Sequence, residues 1–377
     1  MDNENIEDNI NPGFSLDQIY FYLTEGCNLA CRHCWLAPPL QTGNRKYPVL
    51  PAGLFEKAIS EAIPLGLKGV KLTGGEPLLH PKLKEILSIT RDNNLRLIME
   101  TNGLLCSMEI AEEIAKSTDR FVSVSIDGTD SNTHDKIRGV EGSFEKAKEG
   151  VKNLVKTGTP VQIIMSLMPE NKHQMESMIS LAQDLGAESL KINIIQPVAR
   201  GEALVNRENS LKINDIIELG KYIELKFSSN TAFRIDFDYP LAFKPLSHLA
   251  EKGSGTCTIL NIIGVIASGE YALCGIGNHI PELVFGKVED IPLKDIWLNN
   301  PVLNEIRNGI PGRLDGVCAE CLMKQMCLGS CIALTYYRTK KLWAPFWFCD
   351  LAYREGLFPK TRLATQSSST QHNENVI

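Results

Sequence analysis

Short apolar runs alternate with amphipathic stretches from about residue 15 to residue 235. The runs at 19–23, 69–72, 95–100, 121–126, 161–167 and 190–195 each have the length of a buried strand. Between them, apolar residues recur at helical spacing. Leu54, Phe55, Ala58, Ile59, Ala62 and Ile63 form one stripe, and Phe144, Ala147, Val151, Leu154 and Val155 form another. Ser107 is placed to cap a helix with Glu109 in its first turn, and the stretch 143–157 stops at Gly158. Asn171 and Gln174 resemble a capping box for a helix that ends at Gly186. Six strand–helix units predict an α/β fold with a parallel sheet and right-handed crossovers. Six are too few to close an eight-stranded barrel, so the expected form is a partial, TIM-like (β/α)6 barrel. Chemistry in such folds sits at the C-terminal ends of the strands.

Beyond about residue 236 the periodicity weakens, and Gly, Pro and Cys punctuate short segments. The expected organisation is a disordered leader at 1–14, a core at 15–235, a small loop-rich domain at 236–358 and a tail at 359–377, Ser/Gln/Asn-rich from Thr365. The 377 residues are 43% apolar and 22% charged, ordinary for a globular chain. A net charge of −6 argues against a nucleic-acid surface. The acidic start is no secretory signal, and the apolar run 258–267 is too short to span a bilayer, so no membrane association and a cytoplasmic location are expected. Eleven cysteines in such a chain point to metal or redox work rather than disulfides.

Three of those cysteines, Cys27, Cys31 and Cys34, crowd the end of the first strand as C-x3-C-x2-C, with His33 before the third. Three thiolates leave a [4Fe–4S] cluster one iron short of full protein coordination. A zinc knuckle using His33 as fourth ligand is the competing reading. The spacing resembles the radical S-adenosylmethionine (SAM) superfamily, and motifs at later strand ends extend the likeness. Gly74-Gly75-Glu76-Pro77 follows the second strand, where glycines let backbone approach a ligand and Glu76 can accept from an ammonium group. Ser125-Ile126-Asp127-Gly128 follows the fourth, with His134-Asp135-Lys136-Ile137-Arg138-Gly139 after it. The resemblance implies that Gly74, Gly75 and Glu76 hold the amino group of SAM, Ser125 its polar atoms, Arg138 its carboxylate, and that His33 lies near its adenine. Thr101-Asn102-Gly103, at the third strand end, fits the family too and reads equally as a turn, and Asp127-Gly128 also makes a good turn without function. The resemblance further implies reductive cleavage of SAM to a 5′-deoxyadenosyl radical that abstracts hydrogen from an unactivated carbon.

A second set, Cys257, Cys274, Cys318, Cys321, Cys327, Cys331 and Cys349, resembles the seven-cysteine SPASM extension of peptide and protein maturases; a zinc ribbon is the plainer alternative. The likeness implies two auxiliary [4Fe–4S] clusters, one on Cys257, Cys274 and Cys331, the other on Cys318, Cys321, Cys327 and Cys349. Some relatives carry a further cysteine where Asn261 stands, so the first auxiliary cluster is expected to have an open or non-cysteine site near Asn261. Trp343, Phe346, Trp347 and Phe348 are expected to shield the second auxiliary cluster. Cys106 and the methionines Met165, Met168, Met175 and Met178 are assigned to the core. His80, His134, His173, His248, His279 and His372 show no ligand spacing.

The expected function is that of a radical SAM oxidoreductase or lyase-type maturase acting on a ribosomally synthesised precursor peptide (RiPP). Gly275 stands where sulfatase maturases carry a basic Asp, which disfavours that activity. The run at 31–38, Cys-Arg-His-Cys-Trp-Leu-Ala-Pro, resembles the splicease branch, which excises tyramine to leave an α-keto-β-amino acid. Thioether or carbon–carbon cross-linking, haem-precursor decarboxylation and simple iron–sulfur electron transfer remain the alternatives. Expected partners are the precursor peptide, a separate leader-binding protein, and an electron donor such as flavodoxin or ferredoxin.

Overall fold

The computed structural model describes residues 14–40, 47–227, 233–247, 249, 257 and 259–364. The leader up to residue 13, the tail from Thr365, His248 and His372 lie outside the described residues. Phe14, the last leader residue, is held: its carbonyl accepts from Trp297 Nε1 at 3.0 Å.

All six expected strands form, within a residue or two of their expected limits: β1 (Gln18–Tyr22), β2 (Gly69–Thr73), β3 (Arg96–Thr101), β4 (Arg120–Ser125), β5 (Val161–Leu167) and β6 (Ser189–Ile194). A seventh, β7 (Arg234–Asp238), pairs parallel with β6 across the expected boundary at 235/236. The loop-rich segment also contributes strands. β8 (Ile262–Val265) pairs parallel with the other edge of β1, and β9 (Glu270–Ala272) and β10 (Val284–Lys287) continue antiparallel. One ten-stranded sheet results, in the order β10-β9-β8-β1-β2-β3-β4-β5-β6-β7.

The parallel register explains the patterning of the strands. Phe21, Leu72 and Met99 stand in line across β1 to β3 and are fully buried. This face receives the helices; Phe21 meets Phe55 of α1 (Ala52–Ala62) with ring centroids 4.3 Å apart. The alternate positions Tyr20, Lys71, Glu100, Ser123, Gln162 and Lys191 share the opposite face. Helices on one face and polar residues on the other match an open barrel rather than a doubly wound sheet.

The helices follow the stripes. α2 (Leu83–Asp92) packs on α1, and the Ser107 hydroxyl accepts from Ile110 N at the start of α3 (Met108–Ala115). α4 (Ser131–Arg138) and α5 (Ser143–Lys156) follow β4, and α5 stops one residue before Thr157-Gly158. The capping box at Asn171 does not form. A 3-10 turn, Lys172–Gln174, precedes α6 (Met175–Asp184), and Asn171 makes no cap bond. Its amide donates instead to the Asp127 and Ser166 carbonyls at 2.8 and 2.9 Å. Two buried carbonyls at strand ends need donors more than the helix start does. Met165, Met168, Met175, Met178 and Cys106 are buried core residues. Among the described residues no helix is long and apolar enough to cross a membrane.

Candidate active site

The loop after β1 carries Cys27, Cys31 and Cys34 at the C-terminal end of the sheet. It is docked on the turn after β2. Gly75 N donates to Thr24 O at 2.8 Å, Glu76 N to Gly26 O at 3.0 Å, and the Thr24 hydroxyl to Glu76 O at 3.0 Å. A side chain on Gly75 would place its Cβ 2.0 Å from the Gly26 carbonyl oxygen. The glycine is thus required by protein–protein contact with the cysteine loop, a nearer cause than the ligand approach inferred from sequence.

Glu76 is buried, and its carboxylate is held from β3. Oε1 accepts from Thr101 Oγ1 at 2.6 Å and Leu78 N at 3.0 Å; Oε2 accepts from Asn102 N at 2.8 Å. Burial pushes its pKa up to about 7 against those donors. Glu76 therefore links two strand ends through bonds within the fold. Thr101 and Asn102, which read as a plain turn in sequence, supply the partners; Asn102 Nδ2 also reaches Asn28 Oδ1 at 2.7 Å and Cys27 Sγ at 3.9 Å.

A buried polar centre lies behind the loop. Asp127 is fully buried, and its Oδ2 lies 2.7 Å from both His33 Nε2 and Arg138 Nε, while Oδ1 accepts from Ser166 N at 2.7 Å. The Arg138 contact is an ion pair whose Nε–H is not aligned as a hydrogen bond. Burial opposes ionisation of Asp127, yet Arg138 and His33 hold its carboxyl well below the usual range. Arg138 Nη1 donates to Cys31 Sγ at 3.6 Å. His33, expected beside adenine, is bonded to Asp127, and Arg138, expected on a carboxylate of SAM, already faces one. Ser125 ends β4, half-buried, on the polar face. Sequence reasoning also missed Arg200, which starts α7 (Arg200–Asn206) and donates to Cys31 O at 3.1 Å and Pro38 O at 2.6 Å. A cavity of about 220 Å³ opens beside the loop, lined by Tyr22, Leu36, Pro38, Gly74, Gly75 and His279 among others.

Burial, together with neighbouring negative groups, raises the Cys27 pKa to about 12, and burial raises that of Cys31. Three thiolates so placed need a cationic core to offset them, while Leu29 N at 3.4 Å, Asn102 and Arg138 supply the N–H···S bonds that cluster sulfurs accept. A cluster takes each thiolate at a different iron, and three thiolates with these N–H donors suit such a cluster.

Four cysteines of the second set stand together. Cys318, Cys321, Cys327 and Cys349 line one apolar cavity with Leu314, Val317, Met323 and Phe358. Burial raises all four thiols, Cys318 to about 11 and Cys327 to about 12. The expected shield of Trp343, Phe346, Trp347 and Phe348 is not among the lining side chains. Phe348 meets Phe243 edge to face with ring centroids 5.3 Å apart, and Trp347 Nε1 donates to Gln196 Oε1 at 3.2 Å. Cys257, Cys274 and Cys331 form the other group: burial raises the Cys274 and Cys331 thiols, and Cys274 feels the charge of both others. Asn261 lies at the opposite end of the sheet from the Cys27 loop. It donates to Ser15 O at 2.9 Å and accepts from Asp17 N and Gln18 N, aligning β8 with β1.

A parallel sheet ending in a three-cysteine loop, a Gly-Gly turn and a buried Asp–Arg pair defines a class. Residues 21–182 match the model of the radical SAM superfamily, and the chain carries a radical SAM domain. That family implies a [4Fe–4S] cluster and SAM. An AdoMet-dependent heme synthase of Methanosarcina barkeri is 28% identical over 85% of this chain and 92% of the relative. A PqqA peptide cyclase of Gluconobacter oxydans is 25% identical over 82% of this chain and 83% of its own length. In structure, Streptococcus suis SuiB bound to S-adenosylmethionine superposes with a TM-score of 0.68 at 17% identity, over 89% of this chain and 77% of that one.

Proposed function

We propose that this chain is a radical SAM maturase that modifies a ribosomally made precursor peptide. The observation that carries the radical SAM part is the docking of the Cys27–Cys31–Cys34 loop onto the Gly75 turn, with Arg138 and Asp127 behind it. Cys27, Cys31 and Cys34 would hold the cluster, leaving one iron for SAM. Gly74, Gly75 and Ser125 lie at the strand ends that would take its methionyl part, Glu76 braces that turn from within the fold, and Arg138 and His33 lie on the same side. When bound, the cluster and SAM supply a carbon-centred radical able to take a hydrogen atom from the substrate. Around them, the buried walls of β1 to β4 exclude water, and Asp127 keeps Arg138 ionised and oriented. Cys318, Cys321, Cys327 and Cys349 would hold one auxiliary cluster, and Cys257, Cys274 and Cys331 another, relaying electrons between substrate and a flavodoxin- or ferredoxin-type carrier.

The peptide substrate is supported by the PqqA peptide cyclase likeness. A second reading, decarboxylation of a haem precursor, is favoured by the heme synthase relative, matched over 92% of its length. Anaerobic reconstitution with iron and sulfide, followed by dithionite and SAM, tests the common core: 5′-deoxyadenosine should form, and Cys31→Ala should abolish it. No 5′-deoxyadenosine from a chain with an intact, reduced cluster overturns the enzyme reading. Mass spectrometry separates the substrates. A short precursor peptide encoded beside the gene should change mass, by loss of a tyramine unit if the splicease branch holds, whereas loss of carbon dioxide from a porphyrin substrate would favour the second reading.

A further inference from the structure

The cavity of four cysteines lies just beneath the surface. Cys318 sits in the short helix Gly316–Glu320, Cys321 follows it, and half-buried Cys327 closes the next helix, Lys324–Cys327. Between Cys321 and Cys327 the chain divides its apolar side chains. Met323 is buried and lines the cavity, whereas Leu322 and Met326 are 58% and 45% exposed. The segment 360–364 is pinned alongside. Leu363 pairs with Cys321 in an isolated bridge, Leu322 N donates to Arg362 O at 2.8 Å, and Ala364 N donates to Glu320 O at 2.9 Å. These bonds bring exposed Lys360 and half-buried Arg362 beside Lys324, which lines the cavity and donates to Ala319 O at 2.7 Å. Arg362 is fixed by the carbonyls of Ala242 and Lys244 at 3.3 and 3.0 Å. Among the described residues none of these three cations is paired with a carboxylate. An exposed Leu–Met pair rimmed by Lys324, Lys360 and Arg362, with Glu320 as the opposing acid, thus stands over four thiols on a chain whose net charge is −6.

We propose that this patch is the docking surface for a small acidic one-electron carrier, which delivers its electron to a cluster on Cys318, Cys321, Cys327 and Cys349. The proposal rests on the auxiliary-cluster reading given above. Electron tunnelling falls steeply with distance, and Leu322 and Met326 are each next in sequence to a cysteine of that cavity. An apolar centre with a charged rim is the anatomy of a protein contact, and a patch of this size suits a brief encounter rather than a lasting complex. The charge selects the occupant. Most of an acidic chain repels an acidic carrier, so a local basic rim both attracts it and orients it over the thiols. In the step itself one electron leaves the reduced carrier and enters the oxidised cluster, and any proton the carrier releases goes to solvent.

The test mixes purified flavodoxin, reduced to its hydroquinone, with the reconstituted full chain in a Cys27/Cys31/Cys34→Ala background, where only auxiliary clusters can take the electron. Stopped-flow absorbance should show second-order transfer that slows steeply with added salt. Lys324→Glu with Lys360→Glu should lower that rate about tenfold at low salt and weaken the calorimetric binding of oxidised flavodoxin. Lys360→Glu alone, which breaks no bond of the fold, should show part of the same loss. Lys152→Glu with Lys156→Glu, at two exposed positions of α5, makes the same change in net charge and should alter neither quantity. Dithionite, which needs no docking, should reduce the parent and the patch variants to the same extent. Equal flavodoxin rates in parent and patch variants, or equal losses in the patch and α5 variants, overturn the inference while leaving the clusters in place. Absence of any iron–sulfur signal in the background variant overturns the auxiliary-cluster reading and the inference with it.

Discussion

At the scale of single residues, the site is set by close approaches that leave no room for substitution. Gly75→Ala would drive a methyl group into the Gly26 carbonyl at 2.0 Å, and neither backbone can yield without moving the cysteine loop. The expected cost is about 2–4 kcal/mol, read as a lower Tm, together with loss of iron on reconstitution. Glu76 gives a pH-dependent counterpart. Its carboxyl is pushed up to about 7 by burial, above the ordinary 4.5, so the folded chain holds this proton more tightly than the unfolded chain. Its contribution to stability is complete below pH 4.5 and is lost as pH rises toward 7. At about 1.4 kcal/mol for each unit, the loss is at most about 3.5 kcal/mol. Urea unfolding of the metal-free chain between pH 4.5 and 8 should show this fall, and Glu76→Gln should remove it. A Glu76→Gln profile parallel to the parent would refute the assignment.

Among the elements, the six strands of the core were legible because each is an uninterrupted apolar run bounded by turn residues. β7 was not, since Arg-Ile-Asp-Phe-Asp buries only Ile235 and Phe237 between charges; strict alternation was its only signal. β8 is four residues long and gains stability from pairing with β1, a contact more than two hundred residues away in sequence that no local pattern encodes. The cysteines were legible as spacings. The polar frame around them was not, because Thr101, Asn102 and Asp127 look like turn residues, and Asn171 like a helix cap, until the strand ends converge. Arg200 belongs to the same hidden frame. It ties the carbonyls on both sides of Cys34 to the start of α7, so the loop that would hold the cluster is fastened to the sixth strand–helix unit. Arg200→Met leaves both carbonyls without that donor. Iron release to a chelator should become several-fold faster while the melting temperature of the metal-free chain changes little. An unchanged release rate would mean that the remaining contacts hold the loop without Arg200.

At the scale of the whole molecule, the segment after residue 236 is built into the sheet of the core. β1 is central in the ten-stranded sheet only because β8 covers its second edge. The helix Leu293–Asn299 then packs on α1, Leu293 N donating to Glu61 Oε2 at 2.7 Å and fully buried Trp297 closing over Phe14. A fragment ending at residue 247 would expose the backbone edge of β1 and the buried side chains Ile19, Phe21 and Phe55 that these later elements help enclose. An unpaired apolar edge strand associates with other chains. The fragment should therefore aggregate or melt without cooperativity, although it includes the entire matched radical SAM segment 21–182. Expression of residues 1–247 with size-exclusion chromatography and a thermal melt tests this. A monomer with a sharp transition would show that the core folds alone and that the cysteine-rich segment is an appended module. Aggregation that is relieved by adding back residues 248–377 would show that the two stretches share one folding unit through the β1–β8 pairing.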